Sequence, residues 1–364
     1  MSACDAACAA LEADFDATIE RLQELIRIPS CSFAGFDPAA LRHSAESCAT
    51  WLRQAGLPEV ELIEGCGAGP QVLARDHGAG PEQPTLLLYA HHDVQPPMRP
   101  ELWHSPAFEP SIRDGRLYGR GSADDKAGVA VIAAACAAWR QSAGRLPINV
   151  TVLIDSEEEI GSPHLDQLLD REGDRLQADV LAIADLVNIA VGQPSLTVAL
   201  RGMAALEVTV TGLRAPAHSG MWGGPLPDAA AVLARLIAGC SDADGRLTIP
   251  DLPAPSLPAG VLDDLPRLPW DADRFAEQAG LLGPLATDGP STYRRLWYEP
   301  ALSVNGIHAG GEPGQAGNVL VDRAWARLSL RLAPGQDPDA CLDALAAQLR
   351  RAAPASVDLQ IERE

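Results

Sequence analysis

The chain has 364 residues, 47% hydrophobic and 21% charged, which excludes a disordered or collagen-like polymer and suits two packed domains. Its 28 lysines and arginines against 49 aspartates and glutamates give a net charge of -21, so phosphate backbones and anionic lipid are repelled, and neither nucleic acid nor a membrane is an expected partner. The longest apolar runs, such as residues 128–139, fall short of the ~18 needed to cross a bilayer, and the opening MSACDAACAALEADF carries acids where a signal peptide carries a basic region, so a soluble cytoplasmic protein is expected.

Apolar residues at helical spacing predict a helix over Leu11–Ile28, stopped by Pro29, and a second over Ala45–Gln54, ended by Gly56 and Pro58. Strands follow at Val60–Ile63 and Gln71–Ala74. The unbroken apolar run Thr85–Ala90 reads as a strand buried on both faces of a mainly parallel sheet. Helix Lys126–Gln141, strand Ile148–Ile154 and strand Asp179–Ala184 complete an α/β domain, assigned to residues 1–188. The texture then changes, and residues 189–364 read as a smaller α+β domain. Ser195–Leu200 and Ala204–Val210 suggest paired strands, and Asp228–Ile237 a helix after Pro227. Residues 241–300, rich in proline, glycine and aspartate, suggest long loops and short helices. Ala324–Leu332 alternates Ala324, Ala326, Leu328, Leu330 and Leu332 against Trp325, Arg327, Ser329 and Arg331, a strand with one core face. Helix Asp337–Arg350 and strand Val357–Ile361 end the domain. The eight cysteines form no CxxC pair or regular framework. Cys4 and Cys8, four apart, read as plain helix surface, and Cys136 as a small buried hydrophobe.

Three clusters able to carry chemistry each close a predicted strand of the first domain. YAHHDVQPP brings His91, His92 and Asp93, DSEEEIGS brings Asp155, Glu157, Glu158 and Glu159, and Asp185 follows Asp179–Ala184. In an open α/β sheet the carboxyl ends of the strands share one edge, where ligand sites form. GRGSADDKAG adds Asp124 and Asp125 in a loop before a helix. Imidazole with several carboxylates suits zinc or manganese, and so many unpartnered charges together would be costly. Spacing alone leaves a metal site and a solvated acidic rim equally open. A nucleotide-binding reading of GRGSADDKAG fails on the GxxxxGK[ST] spacing.

These motifs, with the aspartate before VALRG and with AHSGMWGG, follow one another in the order of a known family. The chain resembles the dinuclear metallopeptidases that include carnosinase-type dipeptidases, glutamate carboxypeptidase, acetylornithine deacetylase and succinyl-diaminopimelate desuccinylase. RGSADDKAG and WHSPAFEP are most similar to the dipeptidase branch. The resemblance implies a zinc-peptidase-like sheet domain with flanking helices and a ferredoxin-like lid and dimerisation domain. It implies a metal-dependent hydrolase cleaving dipeptides or short peptides with a free C-terminal carboxylate, with two zinc ions per subunit (manganese or cobalt as alternatives) and a homodimer. N-acyl-amino-acid deacylation is the rival reaction, and a truncated, non-catalytic dimerising relic the rival of another class.

Position by position, the resemblance makes His91 a ligand of one metal, and Asp93 the carboxylate that orients its imidazole. Asp124 would bridge both metals, Asp185 would complete the first site, and Glu159 would serve the second. Glu158 would be the general base. His92, Asp125 and Glu157 would stand outside the metal set, and a cis peptide is expected at Asp124–Asp125. In the second domain, His218 would reach into the partner subunit's active site, while Asn318 and Arg331 would contact the substrate carbonyl and carboxylate. His91, Asp124, Glu159 and Asp185 should therefore converge, and a His91–Asp185 separation above about 8 Å would forbid a shared ion at ~2.0–2.2 Å from each ligand.

The resemblance breaks at the end of the chain. Family members continue past the small domain with a glycine-rich substrate loop and a last histidine ligand, whereas the final histidine here is His308. A fragment is the expected reading. The chain as given would then bind about one zinc, be poorly soluble and hydrolyse dipeptides negligibly.

Overall fold

The structure, a computed structural model, describes residues 2–364 apart from 190, 198, 258, 286, 312, 313 and 315. The chain divides into two units, Met1–Leu196 and Thr197–Glu364.

The first unit opens with α1 (Ala3–Ala13), which Ser2 caps by accepting from the backbone of Asp5, and α2 (Phe15–Ile26). A single helix was expected here, but Asp14 leaves helical geometry (φ -101, ψ 9) and divides it. Cys4 and Cys8 lie exposed on α1, and the other six cysteines are buried. Helix α3 (Pro38–Gln54) starts earlier than Ala45 because Asp37 caps it and Pro38 is pre-set for its first turn. Then come β1 (Glu59–Ile63), β2 (Gln71–Asp76), β3 (Thr85–His91), the hairpin β4 (Ser111–Arg113) and β5 (Arg116–Tyr118), α4 (Lys126–Ala143), β6 (Asn149–Asp155), α5 (Leu165–Glu172) and β7 (Val180–Ile183). The sheet order is β1-β2-β6-β3-β7. Only β2 opposes the common direction, so β3, β6 and β7 end on one edge.

One sheet face carries Val72, Ala74, Ala90, Val152 and Ile154 against α2, α3 and α4. The other carries Ile63, Leu73 and Leu153 against Leu168 and Leu176. Strand β6 is buried throughout. Residues 85–89 of β3, expected to be buried on both faces, are only half-buried, because the second face is covered mainly toward β1, β2 and β6. Val180, Leu181 and Ile183 of the edge strand β7 are exposed.

Lys126, fully buried at the start of α4, donates to the carbonyls of Leu25 (2.9 Å) and Ile28 (2.6 Å) at the end of α2. It thereby fastens the helix that begins beside Asp124 and Asp125 to the segment 28–32, whose Ser30 and Ser32 hydroxyls donate to the His92 carbonyl and to Asp93. Burial pulls its pKa down to about 7, below the ordinary 10.5. Between those values the unfolded chain holds a proton that the folded chain has shed, so the Lys126 contribution to stability rises with pH from about 7 upward. Replacing Lys126 with methionine keeps the volume but orphans two carbonyls. We expect a loss of about 2–3 kcal/mol and a flatter stability–pH curve above neutrality, read by denaturant melts at several pH values. A variant as stable as the parent would show that the lysine contributes nothing net.

The second unit contains β8 (Gly202–Thr211), β9 (Ala217–His218), α6 (Ser219–Trp222), α7 (Ala229–Ala238), α8 (Val261–Asp264), α9 (Ala272–Ala279), α10 (Gly289–Trp297), β10 (Ala301–Ala309), β11 (Val319–Leu320), β12 (Arg323–Leu332), α11 (Pro338–Ala352) and β13 (Asp358–Arg363). Its main sheet, β10-β12-β8-β13, is antiparallel throughout. The βαββαβ order β8-α7-β10-β12-α11-β13 is the ferredoxin-like arrangement. Leu206, Val208, Leu328 and Leu330 pack on Leu233 and Leu236 of α7 and on Leu345 of α11, as the alternation in β12 anticipated. The strand expected at Ser195–Leu200 does not form at its described residues (residue 198 lies outside them). Both edges of β8 are taken by β12 and β13, so the expected pairing with β8 is blocked. No helix among the described residues is long and apolar enough to cross a membrane.

Candidate metal centre

The carboxyl edge of the first sheet gathers the charged motifs. His91 is fully buried at the end of β3. Its Nε2 lies 3.0 Å from Asp124 Oδ1, 3.7 Å from Asp185 Oδ2 and 3.8 Å from Glu158 Oε2. His91, Asp124 and Glu159 each offer a ligand atom within 4.8 Å of the others, and so do His91, Asp125 and Asp185. The Asp124–Asp125 peptide is cis.

Alternate residues after β3 turn toward this point. Asp93 Oδ1 is 3.2 Å from His91 Nδ1. The same buried carboxylate accepts from the backbone of Glu158 and Glu159 (both 3.1 Å) and from the Ser32 hydroxyl (2.6 Å). It thus fixes the imidazole and the single 3-10 turn Glu158–Ile160 together. Gln95, two residues on, donates from its backbone to Glu159 Oε1 (3.1 Å) and from its side chain to Glu159 Oε2 (2.7 Å). Sequence reasoning missed Gln95, Ser32 and Lys126. The signal for Gln95 was its two-residue spacing from Asp93 and four from His91, since an extended chain repeats its face every second residue.

The flanking acids separate by their partners. His92 points away, with Nε2 3.2 Å from the Pro70 carbonyl. Glu157 is buried and accepts from Ala68 and His164 backbone N–H groups, at 2.8 Å each. Asp155 is buried and accepts from Tyr89 and Ser162 hydroxyls. Asp125 caps α4 by accepting from Gly128 (3.0 Å), and its other oxygen accepts from His91 N–H (3.1 Å). It lies within ligand reach as well, and each of its oxygens accepts one of these bonds.

The electrostatics favour a cation at this point. Burial opposes charge on His91, yet the hydrogen-bonded carboxylates of Asp124 and Asp93 outweigh it and hold the imidazole protonated up to about 11. Burial, with Asp185 adding, pushes the Asp125 carboxyl up to about 8 against the pull of His91. Burial likewise raises Glu158, Glu159 and Asp185, each with a neighbouring carboxylate adding to it, while the His91 contact lowers Asp124. One imidazole facing this many carboxylates, hard oxygen donors beside one nitrogen, fits a divalent ion such as zinc or manganese.

The second unit holds the remaining three candidates. His218 is exposed at the end of β9, and its Nδ1 accepts from Gly220 N–H at 3.1 Å. Asn318 is its neighbour: β9 pairs with β11, and the Asn318 carbonyl accepts from both the backbone (3.0 Å) and hydroxyl (2.8 Å) of Ser219. Arg331 lies on the non-core face of β12, opposite Met203. Burial and the nearby Arg331 charge lower the pKa of Arg201. Among the described residues neither arginine forms an ion pair. His308 sits in β10.

A sequence profile described as peptidase family M20/M25/M40 matches residues 87–358. A cysteinylglycine-S-conjugate dipeptidase of Corynebacterium striatum is 34% identical over 284 residues, 77% of this chain and 60% of the relative. A Beta-Ala-His dipeptidase of Mus musculus is 31% identical over 275 residues, 74% of this chain and 56% of the relative. The chain thus spans little more than half the length of these relatives. The crystal structure of human carnosine dipeptidase 1 shares the fold, with a TM-score of 0.83 at 24% identity over 100% of this chain and 80% of that one.

Proposed function

This chain belongs to peptidase family M20/M25/M40, and we propose that it acts as a metal-dependent hydrolase on dipeptides or short peptides with a free C-terminal carboxylate. The observation that carries the proposal is that buried His91 lies within ligand reach of Asp124 and Glu159 together and of Asp125 and Asp185 together, with the Glu158 carboxylate 3.8 Å from the same imidazole nitrogen. His91, Asp124 and Asp185 would hold one ion and Asp124 with Glu159 a second, zinc first, manganese or cobalt as substitutes. Divalent ions there would supply Lewis-acid polarisation of the amide carbonyl and acidify the attacking water.

The side chains do the rest. Glu158, raised by burial and half-exposed, takes a proton from water as its oxygen bonds to the carbonyl carbon. It returns that proton to the amide nitrogen as the C–N bond breaks, leaving a carboxylic acid and an amine. Asp93 keeps the His91 ring in place. Arg331, with the Arg201 charge beside it, would bind the substrate carboxylate, and Asn318 would contact the carbonyl. His218 would stabilise the developing oxyanion from across a homodimer built on the second unit. Exposed Val304 and Ile307 on the edge strand β10, with exposed Met221 and Trp222 on α6, supply apolar surface for that pairing. Six buried free thiols suit a reducing, cytoplasmic setting.

Metal analysis of the purified protein, beside a panel of dipeptides, N-acetyl amino acids and N-succinyl amino acids, tests the proposal. Metal uptake by this chain is expected, and chelator-sensitive cleavage of dipeptides by a protein of the relatives' full length. A protein that takes up no divalent ion under any loading condition would sink the metallohydrolase reading. Cleavage confined to the N-acyl compounds would replace dipeptidase by deacylase.

A further inference from the structure

Gln95 stands out among residues with no assigned part, because its side chain and its own backbone engage both oxygens of a single carboxylate. Its backbone N–H donates to Glu159 Oε1 at 3.1 Å, its amide to Oε2 at 2.7 Å, and the same amide to the Glu159 carbonyl at 3.2 Å. We propose that Gln95 is a positioning residue that fixes the Glu159 carboxylate in the one orientation from which it meets the point shared with His91 and Asp124. The inference rests on the reading of Glu159 as a metal ligand.

The chemistry of the pair favours this role. An ionised carboxylate offers about four lone-pair sites, so two donors leave one free on each oxygen. A lysine or arginine at position 95 would occupy the carboxylate just as well, but its charge would compete with a metal ion. A neutral amide donates without supplying charge. The rest of the segment acts in the same sense, since Asp93 holds the Glu158 and Glu159 backbone while contacting His91 Nδ1. Residues 91, 93 and 95 therefore set the distance between the histidine and the glutamate from one short stretch of chain. Among the described residues Asp124 has no such clamp: its side chain is 62% exposed and touches His91.

A double-mutant cycle tests the inference, reading zinc affinity of the full 364-residue protein by competition with a chromophoric chelator. Gln95→Met, which keeps the length and removes the donor, is expected to weaken roughly 10–100-fold the binding of the zinc that Glu159 shares with Asp124. In a Glu159→Gln background the same change is expected to do nothing further, because its effect passes through Glu159. Gln95→Ala, measured in parallel, should follow the same pattern, and metal-free melting of each variant reports whether it folds. Unchanged affinity in the folded Gln95 variants overturns the inference, as do losses that simply multiply in the double mutant. Either result leaves the metallohydrolase reading standing if the parent binds zinc and His91→Ala does not. A parent without zinc affinity takes down both.

Discussion

In a protein of the relatives' full length, Glu158→Gln is expected to lower turnover by roughly 10²–10⁴ or more while leaving metal content almost unchanged. Three consecutive glutamates follow β6, and their partners set them apart. Glu157 is committed to Ala68 and His164, and Glu159 to Gln95. Among the described residues the Glu158 carboxylate accepts no hydrogen bond, although its backbone is held by Asp93 at 3.1 Å. A carboxylate anchored by its main chain, unengaged at its tip and raised by burial suits a group that takes up and releases a proton. Glutamine preserves size and the backbone contact, so loss of rate without loss of metal isolates proton transfer. The acid limb of the rate profile, set by Glu158 ionising above its ordinary 4.5, should vanish from what activity is left. Glu159→Gln is expected to behave oppositely, losing metal first. Parental turnover in Glu158→Gln would remove that residue from the mechanism.

The meeting of the site's acids was legible because the sequence places each cluster just after a strand, and three of those strands share a direction. His91, Glu159 and Asp185 follow from that topology; Asp124 needed the family resemblance, since a loop before a helix has no fixed direction. Elements set by pairing rather than by pattern were harder to read. Strand β10 went unseen because its register shifts between Val304 and Gly306 and the edge strand stays largely exposed, which erases two-residue alternation. The apolar stretch at Ser195–Leu200 shows the converse, a strand-like sequence whose expected partner β8 is already paired on both edges. Gln95 and Lys126 escaped notice for another reason. Their work lies in hydrogen bonds to Glu159 and to the carbonyls of α2, contacts that exist only once the fold is made.

Gly128→Ala is expected to damage both stability and metal binding, against the usual preference of a helix for alanine. In α4 that preference alone would stabilise the protein by about 0.8–1 kcal/mol. Here an alanine Cβ would lie 2.4 Å from the Ala184 carbonyl oxygen and 2.4 and 2.6 Å from the two oxygens of Asp125. None of these is the loose end of a long side chain. Ala184 immediately precedes Asp185, and its backbone N–H donates to Tyr89 on β3. Asp125 is pinned by Gly128 and His91 N–H groups. Relief must therefore come from sliding α4 away from Ala184, the residue that follows β7, or from turning Asp125 out of its cap. Overpacking of this kind costs about 1–3 kcal/mol, and a lost cap about 1 kcal/mol more, which together exceed the helix preference. The same movement shifts Asp185 or releases the His91 backbone, so zinc affinity should fall by at least about 10-fold. Melting of the metal-free protein and chelator competition read the two effects separately. A Gly128→Ala protein that melts higher than the parent and binds zinc as tightly would show that Gly128 does not lie close against the Ala184 carbonyl.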